Sequence, residues 1–282
     1  MTTSDVPAGW ADRYLALIGA EQEAPSVAAL ERLVGAHGRR SVFENVTAIL
    51  RRARVGLGGG PVPAVDYDEL LRLREAGRGG GVCFELAPMF RRLLSELGYR
   101  VTPILGQISF PGSHHATIVD FPSAERYLVD AGSGAPLWRP IRLGETVEFR
   151  HPAGLGYRFT PEGEETYVQE RWSEDGWQVA CRYDLRAAIP ETIESAYQRH
   201  QMAGETWVVG NITLVRCTEE AVHRLRDDEL VTHAAGGKRV ARLGSTSEYE
   251  AAAREVFGLP ALPIGAALEV LDEIRRLRRA SE

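Results

Sequence analysis

The hydrophobic pattern of this chain changes period near residue 98, from steps of three and four residues to short alternating segments. Few folds satisfy both halves, because a helix repeats its buried face roughly every 3.6 residues and a strand every second residue. Upstream, Trp10 to Gly19 ends at a glycine, and Val27, Leu30, Leu33 and Val34 stripe a second helix behind Pro25-Ser26. Leu70, Leu71 and Leu73 mark a third, opening after Asp66 or Asp68 and stopping before Gly77. A fourth runs from Phe84 through Leu86, Phe90, Leu93, Leu94 and Leu97 to Gly98. Downstream, strand-like segments cover Val101 to Phe110, Ala116 to Phe121, Arg126 to Val129, Tyr157 to Thr160, Thr166 to Trp172 and Trp177 to Tyr183. Turn signals such as Pro111-Gly112-Ser113 and Pro161-Glu162-Gly163 separate them, which predicts an antiparallel sheet or small barrel. After Pro190 the types mix: Glu191 to Gln201 reads as helix or irregular, and Thr206 to Arg216 as strand. Ser245-Thr246-Ser247-Glu248 is a capping box that opens a helix ending near Phe257-Gly258, and Leu268, Leu271, Ile274 and Leu277 stripe a last helix.

Charge and cysteine usage narrow the function classes. A net charge of −6 gives no general attraction for nucleic acid, and the run Arg275, Arg276, Arg278, Arg279 suits the last turns of the C-terminal helix. No apolar run approaches the roughly 20 residues of a membrane span, and Met1 to Asp5 lacks the pattern of a leader peptide. Cys83, Cys181 and Cys217 form neither a CxxC pair nor an even disulfide framework. A cytoplasmic protein with reduced thiols and no structural zinc is expected. The stretch Gly56-Leu57-Gly58-Gly59-Gly60-Pro61 lacks the final glycine of a dinucleotide loop and any following Gly-Lys-Ser/Thr, so it reads as a connection.

The residue that carries chemistry is Cys83, in Arg78-Gly79-Gly80-Gly81-Val82-Cys83-Phe84-Glu85. It stands where the fourth helix begins, and orphan amides with the positive end of the helix dipole favour a thiolate there. The glycines permit positive-φ turns and give a substrate close access to the sulfur. A base and an orienting acid are expected on the hairpin whose turn lies near Pro122-Ser123. With a two-residue loop His115 faces Asp130 directly; with a four-residue loop the pair sits diagonally on one face. His114 then points to the other side, and only a loop of odd length or a bulge would reverse that preference. Cys83 as nucleophile, His115 as general base and Asp130 as orienter make acyl transfer through a thioester the expected chemistry. The amides of Val82 or Phe84 are candidates for an oxyanion site. His37, His151, His200, His223 and His233 lack such a setting.

With these residues in hand, the chain resembles the arylamine N-acetyltransferases. The resemblance lies in Tyr14 to Gly19, Val42-Phe43-Glu44-Asn45-Val46, Gly80 to Glu85, His115 and Asp130-Ala131-Gly132-Ser133-Gly134. It continues more weakly through Tyr183-Asp184-Leu185 and Ala203-Gly204-Glu205-Thr206-Trp207 to Phe257-Gly258-Leu259. It implies an α+β fold of cysteine-protease-like architecture: a helical domain over 1–98, a β-barrel domain over 99–190 and an α/β lid over 191–282. It also implies that acetyl-CoA, a cosubstrate and not a permanently bound cofactor, acylates Cys83. An arylamine, arylhydrazine or N-hydroxyarylamine then takes the acetyl group. The residues that contact CoA stay unassigned. Two departures stand out. Gly79 occupies the place of the family's arginine, with Arg78 one step back. Ser133 stands where an aromatic residue is usual, in a pocket expected to include Val82, Phe84 and Ser133. A pocket opened at Ser133 would suit an alternative, an amide synthase that couples a longer acyl or polyketide thioester, delivered by an acyl carrier protein, to an aryl amine. A silent binding protein of the same fold is the third reading.

Overall fold

A computed structural model of the chain describes residues 9–57, 60–173, 175–202 and 206–281. Met1 to Asp5, Gly58 and Gly59 of the glycine-rich connection, and Ala203, Gly204 and Glu205 lie outside these residues. The first part of the chain forms α1 (Trp10–Ile18), α2 (Val27–Arg40), β1 (Val42–Glu44), α3 (Val46–Arg54), α4 (Tyr67–Glu75) and α5 (Cys83–Glu96). Ser26 caps α2 through its hydroxyl, Asp66 caps α4 through its carboxylate, and Gly19 closes α1 with φ 68°. The stripes expected from the sequence meet in one core, where Tyr14, Leu30, Leu33, Leu70, Leu71, Phe90, Leu93 and Leu94 are buried together. Burying so many large side chains holds α5 in place, since truncating any one of them to alanine costs about 2–5 kcal/mol.

The second part runs through β2 (Arg100–Gln107), β3 (His114–Asp120), β4 (Arg126–Val129), β5 (Ile141–Arg142), β6 (Val147–Arg150), β7 (Gly156–Pro161), β8 (Thr166–Ser173) and β9 (Gly176–Asp184). These strands form one antiparallel sheet in the order β5-β4-β3-β2-β9-β8-β7-β6, curled nearly into a barrel. Inward-facing Ile104, Ile118, Leu128, Tyr157, Phe159, Tyr167 and Tyr183 fill it. The third part carries α6 (Pro190–His200), β10 (Thr213–Cys217), β11 (Ala221–Arg226), β12 (Glu229–Ala234), β13 (Gly237–Arg242), α7 (Thr246–Glu255) and α8 (Ile264–Ser281). Ser245 and Glu248 form the expected capping box of α7. Within α8, Arg275 pairs with Asp227 and Asp272 and Arg276 with Glu273. Among the described residues no helix is long and apolar enough to cross a membrane.

One element crosses the boundary expected at residue 98. Strand β1, embedded in the helical part, pairs with β10 and forms the edge of the sheet β1-β10-β11-β12-β13. Asn45 fixes this junction: its side chain donates to the carbonyls of Val208 and Asn211 and accepts from the Thr213 amide. The chain before Thr213 is therefore a buried irregular turn, where the sequence pattern predicted strand from Thr206.

Three buried histidines make the fold acid-sensitive. Burial, aided by Arg74, pushes His37 down to about 3. Burial, aided by Arg91 and His114, pushes His115 down to about 3, and burial with His114 nearby pushes His200 down to about 4. Between these values and the ordinary histidine pKa the unfolded chain binds protons that the folded chain refuses, so stability falls as pH falls. Each group removes about 1.4 kcal/mol per pH unit across that window. Cooperative unfolding is expected between about pH 6 and pH 4, followed by tryptophan fluorescence; a chain with native fluorescence at about pH 4 would contradict this account.

Candidate active site

Cys83 is the first residue of α5 and is 6% exposed. The helix starts there because Glu85, three residues beyond the cap, turns back and accepts the Val82 amide at 2.8 Å. Glu85 also forms a buried ion pair with Arg51 of α3. The glycines before the thiol serve packing, not substrate access. A Cβ at Gly80 would lie 2.0 Å from the Val42 carbonyl oxygen, one at Gly79 would meet the Thr47 methyl at 2.9 Å, and Gly81 has φ 144°. The turn thus presses against β1 and α3. Arg78, displaced by the additional glycine, lines a separate cavity with Thr47, Asp66 and Glu69. The buried Glu44 carboxylate instead accepts from the Gly80 amide at 2.9 Å and from the Thr47 hydroxyl at 2.7 Å. Burial and the neighbouring Glu85 raise the Glu44 pKa.

The β3–β4 hairpin corrects the expected base. Its register pairs Thr117 with Val129 and Asp120 with Arg126, which leaves a five-residue loop from Phe121 to Glu125. The loop closes through Phe121 N–H to the Glu125 carbonyl at 2.9 Å, and Ala124 adopts φ 65°. An odd loop reverses the parity of the facing strands, so His114, not His115, shares a face with Asp130. His114 Nε2 lies 2.9 Å from Asp130 Oδ2, and the imidazole shares one cavity with the Cys83 side chain, which acts on its protonation. Burial alone would lower the pKa of His114, but the Asp130 carboxylate and the hydrogen bonds to Asp130 and Cys83 carry it well above the ordinary value. The raised pKa favours the imidazolium form of His114. His115 points to the opposite face, fully buried, with its ring edge-on to Phe84 at 5.7 Å. Neither of its ring nitrogens has a hydrogen-bond partner among the described residues.

Asp130 is oriented by three donors. Its Oδ2 takes His114 and the Tyr183 hydroxyl, at 2.9 and 2.6 Å, and its Oδ1 takes the Gly132 amide at 3.2 Å. Burial and the adjacent Asp130 raise the Tyr183 pKa well above its ordinary value, so the phenol keeps its proton and donates. The same hydroxyl lies 2.7 Å from the Gln169 side-chain oxygen, a second acceptor within its reach. Gly132 must be glycine, since a Cβ there would lie 2.7 Å from the Cys83 Cα. Behind the site, neutral His37 donates from Nε2 to the Ala131 carbonyl at 3.0 Å and contacts the Tyr14 hydroxyl through Nδ1. Arg74 fixes that relay by donating to Tyr14 and Ser41. No local pattern announces His37, because its partners are 23 and 94 residues away.

Cys83, His114, Asp130 and Ser133 line one cavity of about 270 Å3, together with Phe43, Tyr157, Gln169 and Trp207. That is close to the smallest volume usual for small-molecule sites and suits an aromatic ring. Ser133 lines the cavity, whereas Val82 and Phe84, expected beside it, do not. Val82 packs into the core shared by β1, α3 and β10. Phe84 packs against His115, Tyr197 and His200. Their positions follow from the helix: a nucleophile at the first helical residue sends its two neighbours away from its own side chain. Among the described residues no cluster of His, Cys, Asp and Glu could hold a metal ion.

The same thiol, imidazole and carboxylate can be set beside known proteins. The N-acetyltransferase family model matches residues 26–262. An arylamine N-acetyltransferase of Mycolicibacterium smegmatis is 28% identical over 262 residues, spanning 87% of this chain and 90% of that protein. Proansamycin X synthase of Amycolatopsis mediterranei is 28% identical over 195 residues, 58% of this chain and 74% of that protein. The fold superposes on the structure of the Mycobacterium marinum arylamine N-acetyltransferase in complex with CoA with a TM-score of 0.76 at 24% identity, covering 93% of this chain and 98% of that one. Since the family match runs from the cap of α2 to the last loop before α8, the chain belongs to the arylamine N-acetyltransferase family, whose members are transferases.

Proposed function

We propose that the protein transfers an acetyl group from acetyl-CoA to an arylamine, arylhydrazine or N-hydroxyarylamine through a thioester on Cys83. The observation that carries this reading is His114, held between the Asp130 carboxylate and the thiol at the start of α5. The Cys83 thiolate attacks the carbonyl carbon of the donor thioester, and the negative charge moves to the carbonyl oxygen. The first amides of α5 are the nearest donors for that oxygen: Glu85 uses the Val82 amide, which leaves those of Cys83 and Phe84. Collapse breaks the carbon–sulfur bond of the donor, and the His114 imidazolium gives its proton to the departing CoA sulfur. The amine then attacks the Cys83 thioester, neutral His114 takes the amine proton, and the amide leaves with the thiolate–imidazolium pair restored. Asp130 holds the ring throughout. Three buried free thiols fit a reducing, cytoplasmic setting.

Initial rates with varied acetyl-CoA and amine should give parallel double-reciprocal lines, and CoA should be released in one equivalent when amine is omitted. Intersecting lines with no release of CoA before amine is added would contradict the scheme. A second reading, amide synthesis from a longer acyl or polyketide thioester presented by a carrier protein, is favoured by Ser133 on the cavity wall and by the similarity to a synthase. Faster acylation of Cys83 by long-chain thioesters than by acetyl-CoA would select it.

A further inference from the structure

The Cys83 cavity is walled at one end by arginine. Arg171 on β8, Arg224 on β11 and His233 on β12 line it, and with Leu155 they also line an adjoining open groove that the thiol, His114 and Asp130 do not reach. Strand alternation puts them there. On β8, Gln169 and Arg171 share the cavity face, while on the facing sheet Arg224 lies opposite Val215 and His233 opposite Val222.

Neither Arg171 nor Arg224 makes an ion pair or a side-chain hydrogen bond among the described residues. Their acidic neighbours are occupied: Asp130 holds His114 and Tyr183, Asp227 pairs with Arg275, and Asp228 and Glu229 both pair with Arg242. Burial keeps the adjacent Tyr157 phenol protonated, so it supplies no negative charge. Burial, Arg226 and Arg171 lower the pKa of Arg224, and burial, Lys238, Arg171 and Arg224 lower that of His233. Crowded like charge of this kind is relieved by an anion. In a chain of net charge −6, two such guanidinium groups on one cavity are not the by-product of a generally basic surface. The planar fork of arginine matches a carboxylate in two parallel hydrogen bonds.

We propose that Arg171 and Arg224, with His233 beside them, form an anion-binding subsite at the groove end of the cavity, and that the amine acceptor carries a carboxylate opposite its amino group. The subsite stands on the geometry alone, whereas its role in choosing an acceptor rests on the acyl-transfer reading. In such an acceptor the carboxylate sits between the arginines and the ring spans the cavity, which directs the amine toward the Cys83 thioester.

The test compares para-aminobenzoate with its neutral counterpart para-aminobenzamide in the parent protein and in Arg171→Gln, Arg224→Gln and the double variant, each checked by thermal melting. Calorimetric binding without donor should favour the carboxylate at least about tenfold, the value of a modest charge-assisted pair. That preference should shrink in each single variant and vanish in the double one, and the ratio of kcat/KM for the two amines should follow it. If a glutamine variant fails to fold, Arg→Lys at the same position keeps the charge and loses the fork, and should lower the preference partway. Acylation of Cys83 by acetyl-CoA and by phosphate-free para-nitrophenyl acetate should be unchanged by the arginine substitutions. Equal binding of the two amines by the parent, or a preference that survives the double substitution, would overturn the subsite. A loss confined to acylation by acetyl-CoA would overturn the acceptor assignment and give the arginines to the donor's phosphates. Arginine-dependent binding without any acetyl transfer would sink the acyl-transfer reading and leave the subsite standing.

Discussion

His114→Ala is expected to slow acylation of Cys83 by about a thousandfold or more, while His115→Ala stays within about tenfold of the parent and melts at lower temperature. The contrast follows from which face of β3 each ring occupies. Among the described residues His114 is the imidazole beside Asp130 in the Cys83 cavity, so its removal deletes the proposed proton donor for the leaving sulfur and the proposed base for the amine. Removing His115 deletes a buried ring stacked edge-on to Phe84, which is a loss of packing. Single-turnover acylation and thermal melting on the same samples separate the two effects. A catalytic collapse in His115→Ala with His114→Ala near the parent rate would mean that the hairpin is displaced by one residue from the register described above.

Asp130→Asn should lower acylation by about a hundredfold to ten-thousandfold and also destabilise the fold. The carboxylate accepts from His114 Nε2, the Tyr183 hydroxyl and the Gly132 amide, and every partner is a donor. An asparagine has one acceptor oxygen. If its amide nitrogen replaces Oδ2, it opposes two donors; if it replaces Oδ1, it opposes the Gly132 amide. Either placement leaves a buried donor unpaired, at a cost of about 1–3 kcal/mol, and removes the negative charge that keeps His114 protonated. The same substitution should therefore move the alkaline limb of the pH–rate profile for acylation to lower pH. An unshifted profile would mean that Asp130 does not set the charge of His114.

The sequence read the helices well because each stripe reports its own burial: Leu70 and Leu71, or Phe90, Leu93 and Leu94, are buried on one helix face. The long barrel strands were legible for the same reason. Strands β11, β12 and β13 were not, since every residue of β13 is exposed and every residue of β12 half-buried, which leaves no alternation to see. Strand β1 was hidden because its partner lies about 170 residues later in the chain. At the site, Cys83 and Asp130 were found from local signals, a glycine turn with a helix start and a strand end, whereas Ser133 came from the family resemblance alone. The choice between His114 and His115 turned on one residue of loop length, and a positive-φ alanine at 124 decided it. Tyr183 and His37 support the site from distant elements, and no local pattern announces them.

In the proposed reaction Cys83, activated by His114, carries the acyl group. Intact-mass and peptide mass spectrometry after incubation with acetyl-CoA, without amine, measures it directly. One acetyl group per chain is expected on Cys83, absent in Cys83→Ala, strongly slowed in His114→Ala and discharged on adding an arylamine. A folded protein that transfers acetyl to amine while Cys83 stays unmodified, or an adduct found on Cys181 or Cys217 instead, would contradict it.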